Sequence, residues 1–302
     1  MFSDYLLNGL GLGAIYAFIA LGYTMVYGII RLINFAHGEV VMVGAYAGYF
    51  TLEVIPWTGL GLPTPWDGAL AAAAALVAGA LAAGLLSLVI ERFAYRPVRK
   101  AGRIAALLTA VGVSLLLQNL AIRLFGADPQ PFALPLEVDA SAFRWFVVIL
   151  LVLLAPLLRH LVLGTRLGRA MRAVSEDLDA ARLMGIPIDR VVTATFFLGA
   201  FVAGLGGVVY SATYGKVEPM LGFLPGMKAF VAAVIGGIGS IPGALLGGLV
   251  LGVAESLLPY ALARLGWAEA FGWTDAIAFT FLILVLLVKP TGLLGRPFKE
   301  KV

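Results

Sequence analysis

The chain has 302 residues, of which 61% are hydrophobic and 13% charged, with a formal net charge of +4. A soluble domain carries roughly 25% charged residues, so this composition excludes a water-soluble fold and demands lipid as solvent for most side chains. With no cysteine and two histidines, His37 and His160, the sequence also excludes a disulfide framework, a thiolate metal site and a cysteine nucleophile.

A bilayer core of about 30 Å takes about 20 apolar residues in a helix rising 1.5 Å per residue. Runs of that kind occupy 5–30, 38–55, 68–90, 104–125, 143–163, 191–214 and 271–289. The first begins straight after Met1-Phe2-Ser3-Asp4. It lacks the basic start and cleavage site of a signal peptide, so it is read as a span. A further run, 226–259, has room for two passes but is interrupted by Gly236-Gly237-Ile238-Gly239-Ser240-Ile241-Pro242-Gly243. Glycine weakens a helix and proline removes a donor, so two helical pieces meet at a break. The predicted fold class is all-α: one polytopic membrane helical bundle over 1–302, with eight to nine membrane segments including a broken or re-entrant helix.

Arg92, Arg96, Arg99, Lys100 and Arg103 crowd one connection, and Arg159, Arg166, Arg169, Arg172, Arg182 and Arg190 lie in or beside another. Lys289, Arg296, Lys299 and Lys301 close the chain, and Arg31 follows the first run. This clustering between spans reads as a membrane orientation signal, not a nucleic-acid footprint, and places these segments in the cytoplasm. The connections 56–67 and 126–142 hold Asp67, Asp128, Glu137, Asp139, Trp57 and Trp66, and are placed outside. The N-terminus is then outside and the C-terminus cytoplasmic. An internal echo pairs 5–30 and Gly38–Gly48 with 191–214 and Gly243–Gly252, running in opposite directions, as in inverted-repeat transporters.

Within the connection 164–190, Ser175 is the predicted N-cap of a helix over 175–185, with Glu176 and Asp177 in its first turn. Gly185 closes it and Pro187 prevents continuation. Ala180, Ala181 and Met184 form a small apolar face that needs a partner, although a short helix also serves simply to turn the chain. Asn34, His37 and Glu39 follow the first span and either cap the next helix, with Asn34 as cap, or line the inner mouth of a route. Glu255, with Ser256, is deep in an apolar run and needs a partner, for which Arg264 is nearby. Gln118 and Asn119 read as helix–helix glue rather than route lining, and Lys216-Val217-Glu218-Pro219 and Lys228 as solvated, with contact to a substrate-binding protein as the alternative. Candidates for lining a route are Asn34, His37, Glu39, Gly236, Gly237, Gly239 and Glu255. No GxxxxGK[ST], HExxH or GxSxG motif is present, so neither ATP binding nor intramembrane hydrolysis is assigned to this chain.

The string from Gly168 to Gly185, followed by Phe196 to Gly207, resembles the permeases of branched-chain amino acid ABC importers. Leu32-Ile33-Asn34-Phe35-Ala36-His37-Gly38-Glu39 and Ala233 to Ala244 closely resemble the LivH-type subunit, and the resemblance covers essentially the whole chain. It implies a permease with no cofactor of its own, driven by cytoplasmic ATPase subunits that use ATP. It also implies a second related permease subunit in a heterodimer, an extracytoplasmic substrate-binding protein, and residence in a bacterial inner membrane. The related coupling consensus has Glu-Ala-Ala, three residues, then Gly. Asp179-Ala180-Ala181 and Gly185 match it, with Asp for Glu. The ATPase-coupling residues are then Ser175, Glu176, Asp177, Asp179, Ala180, Ala181, Arg182, Met184 and Gly185. Branched-chain amino acids are the first substrate class; urea or short amides, and a stand-alone channel or secondary transporter, are the alternatives.

Overall fold

A computed structural model describes residues 2–55, 66–99, 101–136 and 138–295. Trp57, Lys100, Glu137, Arg296, Lys299 and Lys301 lie outside the described residues. The chain folds as helices α1 (Phe2–Ile30), α2 (His37–Val54) and α3 (Trp66–Ile90), the last continuing through a π-helical turn into the short α4 (Arg96–Val98). Then follow α5 (Arg103–Phe125), α6 (Ala140–Gly164), α7 (Arg166–Glu176), α8 (Leu178–Leu183) and α9 (Ile188–Tyr214). The last helices are α10 (Phe223–Gly236), α11 (Ile241–Arg264) and α12 (Thr274–Val288).

By length and composition, 6 of these helices can cross a membrane: those over Phe2–Ile30, Asp67–Val98, Ile104–Phe125, Ala140–Gly164, Ile188–Tyr214 and Ile241–Arg264. α10 and α12 are apolar but shorter, and α2 carries a histidine and two glutamates in 18 residues. The chain is thus an all-helical bundle with at least these spans. α1 is its axis, buried without interruption from Gly13 to Val26. By contrast α5 and α6 leave Leu108, Leu116, Val152, Leu153 and Leu157 exposed, an apolar periphery suited to lipid.

Packing follows an interchange pattern. α1 packs chiefly on α11, and α3 chiefly on α9; α2 lies along α9, and α10 along α1. The crossing of α1 and α11 depends on glycine: a Cβ at Gly13 would stand 2.8 Å from the Leu249 Cα. Two runs, α1–α2–α3 and α9–α10–α11, therefore play equivalent parts. This corrects the sequence pairing of Gly38–Gly48 with Gly243–Gly252: the partner of α2 is α10, and that of α11 is α3. Apolar small-residue helices look alike in sequence, and only their packing separates them.

The chain breaks before α2 and α10 are where this matters. The His37 ring nitrogen Nε2 lies 3.3 Å from the Ile19 carbonyl. The same ring lies against Gly22, eight residues before the end of α1, so 31–36 folds back along that helix. There α2 starts, with the backbone of Gly38 against that of Gly222, just ahead of α10. Two helix N-termini thus meet deep inside the bundle. α10 then descends to the predicted break, where Gly237 adopts φ 101° and Ser240 caps α11 by accepting from the Gly243 amide at 3.2 Å.

One end of the bundle gathers the arginines. Arg31 reaches the Ser175 carbonyl at 3.4 Å, Arg96 pairs with Asp189, and Arg99 bridges Asp189 at 3.0 Å and Glu91 at 2.6 Å. Thr193 donates to the other Glu91 oxygen at 3.0 Å. The tail returns to this end, where the amides of Leu293 and Leu294 donate to the Ile235 and Gly236 carbonyls. At the opposite end, Gln130–Pro131 and Lys216–Val217 form a short antiparallel bridge.

Candidate coupling segment and buried polar clusters

The segment 164–190 is two helices rather than one. Thr165 caps α7 by accepting from the Gly168 amide at 3.0 Å, and Met171 and Val174 anchor that helix in the bundle. The helix runs on through Ser175, whose hydroxyl donates to the Arg172 carbonyl at 2.7 Å. Ser175 therefore is not the predicted N-cap, and Glu176 ends the first helix instead of starting the second. Asp177 takes extended backbone angles and caps α8, its Oδ1 accepting from the amides of Asp179 at 3.1 Å and Ala180 at 3.0 Å. The sequence signal was ambiguous because Ser and Asp cap about equally well, and the α7 face decided between them.

The C-terminal end forms as predicted. Gly185 adopts φ 77°, its amide donates to the Arg182 carbonyl at 3.0 Å, and the Ile186 amide donates to the Ala181 carbonyl at 3.1 Å. This is a Schellman closure, which ends α8 sharply. The apolar face differs from the prediction. Ala181 is buried against α9 residues including Val191 and Val192, whereas Ala180 is exposed together with Met184 at 82% and Leu183 at 88%. Leu183, absent from the predicted face, is the most prominent apolar group on this knob. Asp179 and Arg182 pair loosely beside it at 3.7 Å.

Of the residues predicted to line a route, the structure brings Asn34, His37 and Glu39 together around the start of α2. Asn34 does not cap it: the N-cap position is Ala36, and Asn34 Oδ1 instead accepts from the Tyr95 hydroxyl at 2.8 Å. Glu39 is buried. Its Oε1 accepts from Gln118 Nε2 at 2.6 Å and Ser114 Oγ at 3.1 Å, both on α5, while Oε2 has no partner among the described residues. Gln118 thus joins helices, as predicted. Asn119 does not; it donates to the Leu115 carbonyl of its own helix at 2.8 Å.

Gly236, Gly237 and Gly239 lie elsewhere, in the tight α10–α11 hairpin at the arginine-rich end, where Gly237 packs against Leu294 and Gly295. Glu255 belongs to a third place. Tyr16 donates to its Oε2 at 2.9 Å, and Lys228 pairs with its Oε1 at 2.5 Å and with Asp275 at 2.6 Å. Ser256 donates to the Tyr5 carbonyl at 2.7 Å. Arg264 is therefore not its partner, and Lys228, read from sequence as solvated, is half-buried within an ion pair. A lone lysine in an apolar run gives no sign of its mate 27 residues later; only the antiparallel return of α11 supplies it.

The arrangement contains a capped, exposed knob at the arginine-rich end, a paired charge cluster on α1, α10, α11 and α12, and a half-satisfied carboxylate between α2 and α5. The model of the family described as "Branched-chain amino acid transport system / permease component" matches residues 5–287. Among relatives, the high-affinity branched-chain amino acid transport system permease protein LivH of Escherichia coli (strain K12) is 44% identical, over 100% of this chain and 98% of its own. The LivH protein of Salmonella typhimurium gives the same identity and coverage. The permease protein BraD of Pseudomonas aeruginosa is 42% identical over 98% of this chain and 97% of its own. This chain belongs to the family of permease components of branched-chain amino acid transport systems.

Proposed function

We propose that this chain is the membrane-spanning subunit of an ATP-driven importer of branched-chain amino acids, working with cytoplasmic ATPase subunits, a second related permease and an extracytoplasmic substrate-binding protein. The observation that carries the reading is α8. A Schellman-closed helix, capped by Asp177 and anchored through Ala181, holds Leu183 and Met184 out into solvent. An apolar pair held rigidly outside a bundle is a fitting for another protein. Force delivered there passes through Ala181 to α9, and from α9 to α1 and α3. In this reading the arginine-rich end is cytoplasmic, the N-terminus is outside, and α2, α10 and α12 complete a set of eight to nine membrane segments.

Glu39 is the group in the route that meets the substrate's ammonium. Its Oε2, without a partner among the described residues and buried beside two converging helix N-termini, supports this, because broken helices near the middle of a bundle are where transporters hold charged substrates. The test is reconstitution of the complex with Leu183→Asp/Met184→Asp in place of wild type. The expected result is a folded, membrane-inserted chain that neither retains the ATPase nor supports ATP-driven leucine uptake. Wild-type uptake by the variant overturns the docking role, and uptake by the wild-type chain without any ATPase overturns the ATP-driven reading.

A further inference from the structure

A cleft of about 930 Å³ opens at the arginine-rich end, beside the docking knob, from which it takes Arg182, and away from Glu39 and Glu255. Its inner walls are apolar and half-buried: Leu88 on the last turn of α3, Leu161 near the end of α6, and Phe197 on α9. Its rim carries Arg96, Arg182 and Arg190, with Asp189 as the one carboxylate among the lining residues. Asp189 is engaged by Arg96 and Arg99. Arg182 has only its 3.7 Å contact to the exposed Asp179, and exposed Arg190 has no partner among the described residues. At the cleft, Arg190 is therefore without a partner among the described residues and Arg182 is held only by a long, exposed pair, while the floor is greasy.

The two chemistries are separated along the bundle axis. Phe197 stands seven residues above Arg190 on α9, about 10 Å deeper. Cationic groups at the interface, with apolar walls about 10 Å further in, match the division within a phospholipid. A soluble anion has no use for the walls. We propose that this cleft is a binding site for an anionic glycerophospholipid, its phosphate held by Arg182 and Arg190 and its acyl chains laid along Leu88, Leu161 and Phe197. Guanidinium groups are well suited to the phosphate because they offer paired donors in a plane. Arg182 belongs to α8, so the bound lipid braces the knob from the membrane side. The inference does not depend on what the permease carries.

The experiment purifies the assembled transporter in mixed micelles holding equal phosphatidylglycerol and phosphatidylcholine, and counts retained lipids by native mass spectrometry. At about 1 kcal/mol per interfacial arginine, Arg182→Ala/Arg190→Ala is expected to weaken phosphatidylglycerol retention about 30-fold. Arg123→Ala at the other end is expected to leave it unchanged. Ala194→Phe, which fills the cleft with every charge in place, is expected to lower retention of the lipid as well. Glycerol phosphate, which carries the headgroup charge without chains, is expected not to compete at matched concentration.

Equal retention of the two lipids, or undiminished phosphatidylglycerol on the double variant, overturns the proposal. Competition by glycerol phosphate at matched concentration overturns it in favour of a bare anion site. Lipid retained by the isolated chain but missing from the assembled transporter overturns it in favour of a cleft covered by a partner subunit.

Discussion

Glu255 and Glu39 are both buried inside the bundle, but their surroundings treat them differently. Glu255 has a hydroxyl on one oxygen and an ammonium on the other, and that ammonium is itself shared with Asp275. Glu39 has an amide and a hydroxyl on one oxygen and, among the described residues, nothing on the other. Charge taken out of water is costly unless paired, so the first cluster is a closed structural clasp on α1, α10, α11 and α12. The second is a carboxylate with one oxygen left without a partner among the described residues, which is what its proposed role toward the substrate requires. Sequence position does not distinguish them; what the fold brings to each one does.

The comparison breaks most visibly at the clasp. Lys228→Met strands Glu255 without its cation and is expected to cost about 3–5 kcal/mol. Thermal unfolding of the solubilised complex measures this, and Lys228→Met/Glu255→Gln is expected to recover most of the loss. If the single variant is as stable as wild type, the clasp is not structural. Next in size is the helix crossing that lines up the clasp. Gly13→Leu forces α1 and α11 apart and is expected to cost about 1–3 kcal/mol by the same measurement.

Asp177→Ala removes the cap of α8 and is expected to lower its protection from hydrogen exchange by about 1 kcal/mol, leaving the clasp untouched. The smallest effect on stability belongs to Glu39→Gln. Its carbonyl still accepts from Gln118 and Ser114, so stability is expected to change by less than about 1 kcal/mol. Leucine uptake is nevertheless expected to fall about tenfold or more, the worth of one charge-assisted hydrogen bond. Unchanged uptake would return Glu39 to a packing role.

The legible part of the fold was whatever a local pattern dictates. The long apolar runs became helices within a few residues of their predicted bounds, because lipid-spanning length and backbone satisfaction leave little choice. The break at Gly236–Gly243 and the stop at Gly185 were equally readable, since glycine and proline act on their own backbone. Contacts made at long range stayed hidden. Lys228 with Glu255, Gln118 with Glu39 and Asn34 with Tyr95 all depend on which helices lie side by side. The climb of 31–36 back along α1 was hidden for the same reason: Arg31 signals an interface, and nothing local says that the chain then turns inward.

ATP-driven transport through this chain requires α8 to project into the compartment where ATP is hydrolysed. The chain has no native cysteine, so Leu183→Cys supplies a single thiol at the tip of the knob. In intact cells it is expected to resist a membrane-impermeant maleimide, to react once the membrane is permeabilised, and to be shielded again when the ATPase subunits are present. Labelling of Leu183→Cys from outside intact cells would contradict the account.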